Sequence, residues 1–376
     1  MNFLDHFEQL EDSRTDINIE YDLVDIIFLT MSALLSGAKG WKDIEIFGLA
    51  KLPWLQQYRS FPNGIPTRHS IGRIIRSIKA DSVIRCFEQW INTQRQHSHN
   101  EHIAFDGKVL KGSRHSRHDD TFDALQLMTA MVVDSGLILT QKETPTKHNE
   151  ISVMQSMLKS LSVNGAIISA DALHCQTKTV DIIRQEGADY MVQIKGNQKN
   201  LHQDVQAFFK HTQLSHPDLY KQHTVQEKER EHGRLTQRHY RLLPITEWLM
   251  ETSKWTDSHA VIEVTRCRET KGKTSQETAY YMTSSTDDIT RLAGVIRNHW
   301  SIENSQHWIL DMAFREDGST IYAQDGANNM ALFRRALLNL VKQHPLKDSV
   351  AGKMMRAGWD DKFRAEILFG QKMNKV

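Results

Sequence analysis

Two short apolar runs end in aspartate: "IAFDGK" closes on Asp106 and "IISADALHCQ" on Asp171. If the runs are neighbouring strands of one sheet, both carboxylates meet at the same edge. There they would repel in a poorly hydrated site, and one would tend to stay protonated unless a cation lay between them. Mg²⁺ favours hard oxygen ligands, commonly one or two carboxylates with waters and phosphates. Two such ions about 3.5–4 Å apart can activate a nucleophile and stabilise the leaving oxygen of an in-line phosphoryl displacement. A third acid would be needed for the second ion.

The late segment "RNHWSIENSQHWILDMAF" offers Glu303, set between His299 and His307 at four-residue spacing along one drifting helix face. Trp300, Ile302 and Trp308 are the neighbours expected of a helix packed on a sheet. Each acid alone also suits a plainer role: Asp171 as a helix cap, Asp106 as a strand-end acceptor for nearby amides, Glu303 as a solvated helix residue. Asp311, Glu316 and Asp317 are close enough in sequence to rival Glu303. His174 and Cys175 flank Asp171, but no companion Cys/His spacing supports zinc. The three cysteines, Cys86, Cys175 and Cys267, form no C-x-x-C pair and no disulfide framework.

The elements that would carry these residues follow from periodicity. Apolar spacing predicts helices in 23–35, 41–50 and 82–91. In "IPTRHSIGRIIRSI", Pro66 stops the preceding segment and Thr67 can cap. Ile71, Ile74, Ile75 and Ile78 then form a stripe, with Arg68, His69, Arg73 and Arg76 mostly off it. That is the look of the second helix of a helix-turn-helix, or of an ordinary basic helix. From 101 the period shortens. "HIAFDGKVL" reads as a strand and "ALQLMTAMVVDSGLILTQKET" as two strands about an Asp134-Ser135-Gly136 turn. Helix, strand, helix and strand follow to "DYMVQIK". This order predicts an α/β (α+β) mixed sheet with helices on its faces. "QEKEREHGRLTQRHYRLLPI", "HAVIEVTRCRET" and "TAYYMTSS" make 196–286 a strand-rich insertion. The helical period then returns to the end of the chain.

Charge and hydropathy set the class of partner. Residues 1–50 hold ten acids against three bases, a balance of −7, whereas residues 51–118 hold twelve bases against four acids, a balance of +8. A local basic block points to a polyanion more than a membrane, though a solvated basic face is the plainer alternative. The most apolar stretch, "LVDIIFLTMSALLSG", carries Asp25 and is too short to span a bilayer. With an acidic N-terminus that lacks a basic n-region, this sets the expectation of a cytoplasmic chain without membrane association.

Four words in this order, "AFDGKVLKGS", "SADALHCQ", "VQIKGNQKNL" and "RNHWSIENSQHWILDMAFREDGS", resemble DDE transposases of the insertion-sequence ISAs type, including the H-repeat proteins associated with Rhs elements. The resemblance covers nearly the whole chain. It implies an RNase H-like catalytic core in two parts, 99–195 and 287–376, with a helical DNA-binding domain at 1–98 and the insertion at 196–286. It implies Asp106, Asp171 and Glu303 as a triad holding two Mg²⁺ ions, with Mn²⁺ as substitute. Asp106 is then assigned a metal rather than a cap. The implied partners are double-stranded DNA, as the element's terminal inverted repeats and the target, and a second protomer. The implied reaction is hydrolysis at the element ends followed by joining of the 3′-hydroxyls to target DNA.

Where such transposases often carry tyrosine, arginine and lysine around the glutamate, this chain has Ile296, His299 and Leu310. Candidate DNA contacts are therefore Arg68, Arg73, Lys108, Lys111, Arg114, Lys195, Asn197, Gln198, Arg297, His299 and His307. Lys108 and Lys111 could equally be solvated, and Lys195, Asn197 and Gln198 could simply form a turn. A nuclease without joining activity and a non-catalytic DNA-binding protein are the competing functions.

Overall fold

A computed structural model describes residues 3–370 except 15–18, 96–99, 114–123, 146–148, 232–233, 248, 250–253, 271–272 and 322–323. The chain opens with four helices, α1 (Leu23–Leu35), α2 (Trp41–Leu55), α3 (Arg68–Ser77) and α4 (Ala80–Gln94). Every residue of α1 is buried, as its largely apolar composition requires, with Asp25 buried among them. Asp22 starts it by accepting from the Asp25 amide, and Thr67 starts α3 by accepting from the Ser70 amide.

The stripe read on α3 is buried at Ile71, Ile74 and Ile75, while Arg68 and Arg73 point outward. The helix-turn-helix reading does not hold: the connection from α2 to α3 runs over 56–67, far beyond a three- to four-residue turn.

The middle of the chain alternates strand and helix: β1 (His102–Val109), β2 (Gln126–Val132), β3 (Leu137–Glu143), α5 (Glu150–Ser160), β4 (Ile167–Ala170), α6 (Thr177–Gln185) and β5 (Asp189–Ile194). Two helices unforeseen in the sequence follow, α7 (Lys199–Ser215) and α8 (Pro217–Gln222). Then come β6 (Thr224–Glu231), β7 (Arg234–Pro244), β8 (Ala260–Thr270) and β9 (Lys273–Thr283). The chain ends with α9 (Ile289–Asn298), α10 (Trp308–Met312), α11 (Gln324–Gln343), α12 (Val350–Trp359) and α13 (Asp361–Phe369).

Among the described residues nine strands form one sheet, in the order β3-β2-β1-β4-β5-β9-β8-β7-β6. Strands β1 to β3 are an antiparallel meander, β4 and β5 add in parallel, and the rest is antiparallel. This is the RNase H-like mixed sheet, with the four strands of 224–283 extending its far edge.

The hinge of that extension is narrow. β9 pairs with β5 only over Met191–Ile194, whereas β7 and β8 pair over eleven residues each way. One apolar core joins β1–β5 to the front helices and to α11, whose buried face meets α3 and α4. A smaller cluster, including Tyr240, Ile262, Leu292 and Ile296, seats α9 on the extension.

Candidate active site

Parallel pairing sets Phe105 opposite Ala170, so the next residues along, Asp106 and Asp171, lie side by side where β4 ends. Their burial differs. Asp106 continues β1 and its carboxyl is 12% exposed; Asp171 ends β4 and its carboxyl is 63% exposed. The loop holding Asp171 is braced from β5's far end: Asn197 Nδ2 donates to the Ala172 carbonyl at 2.7 Å, and Gln198 Nε2 to the Cys175 carbonyl at 2.9 Å. These two amides, expected on DNA, instead bond the backbone beside an acid.

Glu303 comes from the late helical segment. The long helix read in 287–314 is broken: α9 stops at Asn298, and Glu303–His307 form a π-helical turn in which the Trp308 amide bonds the Glu303 carbonyl. Such turns recur at functional sites. Ile302 is buried as expected, but Trp300 and Trp308 are 50% and 60% exposed, so neither is packed into the core.

The acids share one field. Burial first, then the Asp171 carboxylate, raise Asp106 to about 7, with Glu303 adding to the rise while His299 and the Gly107 amide oppose it. Glu303 is also raised, by desolvation and then by Asp171. Asp171 is lowered, chiefly by the neighbouring His299 imidazole. A cation relieves this kind of mutual repulsion, and three carboxylates are the hard oxygen donors that Mg²⁺ takes. Among the described residues no three acid or histidine side chains already close on a single point. Two histidines stand at the acids: His299 Nε2 lies 3.7 Å from Asp171, and His307 Nδ1 lies 3.4 Å from Asp106. Burial, then Arg335 and Lys108, lower His307 to about 3, so its contact with Asp106 is not an ion pair at neutral pH.

Sequence reading missed the support behind His299. Its Nδ1 lies 2.8 Å from Ser169 Oγ, which lies 2.6 Å from Nε2 of the buried His102. Ser169 pairs with Ala104, two residues along β1 from His102, so the two side chains share one face of the sheet, a cross-strand relation invisible before pairing is known.

The other expected DNA contacts separate by exposure. Lys111 is 81% exposed, and Lys195, Arg68 and Arg73 are exposed. Arg297 is held by Glu229 and lies 3.8 Å from Glu227. Lys108 contradicts its assignment: its ammonium is buried among Asp311, Glu316 and Asp317, out of a phosphate's reach. Arg114 lies outside the described residues.

A cleft of about 800 Å³ opens between α9, the π turn and the sheet extension. Lys195, Arg238, Arg266, Arg268 and Arg297 line it against Glu229 and Glu277. Arg266 and Arg268 share one face of β8 by the two-residue period of "TRCRET", the signal that could have found them. No helix among the described residues is long and apolar enough to cross a membrane.

Two aspartates at one edge of an RNase H-like sheet thus lie within electrostatic reach of the glutamate of the π turn. Residues 97–340 match the transposase DDE domain, and residues 4–91 match the DDE_Tnp_1-associated family. The chain belongs to the DDE transposases. The H repeat-associated putative transposase YhhI of Escherichia coli (strain K12) is 30% identical over 377 residues, spanning 99% of this chain and 98% of that protein. The putative transposase YncI of Escherichia coli O157:H7 is 30% identical over 378 residues, spanning 98% and 94%. A piggyBac transposase synaptic complex with hairpin DNA aligns at 12% identity and a TM-score of 0.46, covering 99% of this chain and 77% of that one.

Proposed function

We propose that Asp106, Asp171 and Glu303 hold two divalent cations, Mg²⁺ with Mn²⁺ as substitute, and that the chain cuts DNA at the ends of an insertion sequence and joins the freed 3′-hydroxyls to target DNA. The observation that carries this reading is the shared field: three acids from distant parts of the chain lie close enough that Asp171 raises both Asp106 and Glu303, and Glu303 adds to the rise of Asp106. The cations would supply Lewis-acid stabilisation of charge on the attacking and leaving oxygens.

The chain's own part is positional. The parallel register of β1 and β4 fixes the two aspartates relative to each other, and Asn197 and Gln198 hold the Asp171 loop. His299, backed by Ser169 and His102, holds the Asp171 carboxylate until a cation competes for it. Arg68, Arg73, Lys111, Lys195 and the arginines of the cleft supply phosphate contacts, which make affinity fall as salt rises. A second protomer would let paired element ends react together.

The test supplies end-bearing DNA, both uncut and pre-cut, with Mg²⁺. Cleavage and strand transfer are expected from the wild type and neither from Asp106→Asn or Glu303→Gln. Cleavage without joined product makes the chain a nuclease. Cleavage that survives Asp106→Asn removes the triad.

A further inference from the structure

Behind the carboxylate edge lies a second charged cluster with a buried centre of Lys108, Glu316, Arg334 and Arg335. The Glu316 and Arg335 side chains have no exposed surface, and Arg335 Nη1 donates to Glu316 Oε1 at 2.7 Å. Lys108 stands two residues past Asp106, on the same face of β1. Its Nζ lies 3.2 Å from the other oxygen of Glu316 and 2.5 Å from Asp311, and it donates to the His307 carbonyl at 3.4 Å. Arg334, also buried, donates to Ser319 Oγ at 3.1 Å. Lys108, Arg334 and Arg335 thus balance Asp311, Glu316 and Asp317.

The backbone bends to build this cluster. Arg315 takes a left-handed conformation, φ +51°, which a non-glycine residue keeps only where its surroundings impose it. At Gly112 any Cβ would come within 2.6 Å of the Asp317 carbonyl oxygen. Only glycine lets the turn after β1 press so closely on the turn that carries Glu316.

A buried ionic set is a poor source of stability compared with apolar packing of the same volume, and its best-attested use is to fix register. Here the elements it ties are the two that must agree. Lys108 is rigidly spaced from Asp106 along β1. Its partners His307 and Asp311 lie on the helix that brings Glu303, and His307 itself stands against Asp106. We propose that Lys108, Glu316 and Arg335 form a clasp that sets the position of the glutamate-bearing turn on β1, making Lys108 and Glu316 positioning residues of the carboxylate site. The metal arm of the test rests on the function proposed above; the clasp itself does not.

The full-length chain is compared with Lys108→Met, with the milder Asp311→Asn, and with Lys353→Met. Lys353 is a buried lysine in α12 that bonds the Val341 and His344 carbonyls, so it controls for general loss of stability. Two quantities are read: hydrogen exchange of the 303–312 amides without metal or DNA, and Mn²⁺ affinity by electron paramagnetic resonance. Lys108→Met and Asp311→Asn are expected to speed exchange in 303–312 and to weaken Mn²⁺ binding about tenfold or more, the range found when support behind a metal ligand is removed. Lys353→Met is expected to lower the melting temperature without either change. The clasp is overturned if exchange in 303–312 is unaltered in both site variants, or if Lys353→Met alters it equally. A wild-type chain that binds no Mn²⁺ overturns the metal reading instead, and the exchange data still decide the clasp.

Discussion

Two trios of acids lie within one short reach of the fold, and they live in opposite electrostatic worlds. Asp311, Glu316 and Asp317 are met by Lys108, Arg334 and Arg335, and Glu316 is held below the usual range by those cations despite its desolvation. Asp106, Asp171 and Glu303 have no arginine or lysine at ion-pair distance among the described residues; histidines stand at two of them. Burial therefore lifts Asp106 to about 7. Acids with built-in counter-ions hold structure together. Acids held close without them are waiting for a cation from outside.

Exchanging roles between the trios is the sharpest way to break this comparison. Asp106→Asn should lower DNA cleavage by roughly a thousandfold or more, as loss of one member of a cooperating catalytic set does, while leaving the melting temperature equal or higher. Glu316→Gln should do the reverse to stability. Removing one partner of a buried ion pair costs about 3–5 kcal/mol, readable by denaturant titration of the metal-free chain.

A smaller effect is set by pH. Asp106 is raised when folded, so the native chain binds a proton that the unfolded chain releases near pH 4. The stability it contributes is present below that point and lost as pH rises towards 7. Metal-free wild type should lose on the order of 4 kcal/mol across pH 4 to 8 through this group, a slope absent from Asp106→Asn. Cation binding should strengthen over the same window, because the ligand must first lose its proton. The smallest effect lies outside both trios. Lys195→Ala and Arg268→Ala should each weaken DNA binding modestly and reduce its salt slope by about one, with stability unchanged.

Much of the site was legible because its signals are local. Aspartates closing two apolar runs and a glutamate among apolar neighbours can be read from a single pass, although β1 runs on past Asp106 to Val109, and the meander-then-parallel order gives the sheet. What escaped depends on contacts between distant segments. Nothing in "DGKVLKGS" says that Lys108 turns inward, since its partners arrive two hundred residues later. The break of the late helix at Asn298 is hidden because the apolar period continues through it. Helices α7 and α8 were lost in a region whose strand alternation dominates. Ser169 and His102 become partners only once β1 and β4 are paired.

Anomalous diffraction from crystals of the full chain grown with Mn²⁺ at pH 8 would test the cation account directly. Density peaks within bonding distance of the carboxyls of Asp106, Asp171 and Glu303, with none at Asp311, Glu316 or Asp317, are the expected result. Peaks on the second trio, or none on the first in a preparation that cleaves DNA, would contradict it.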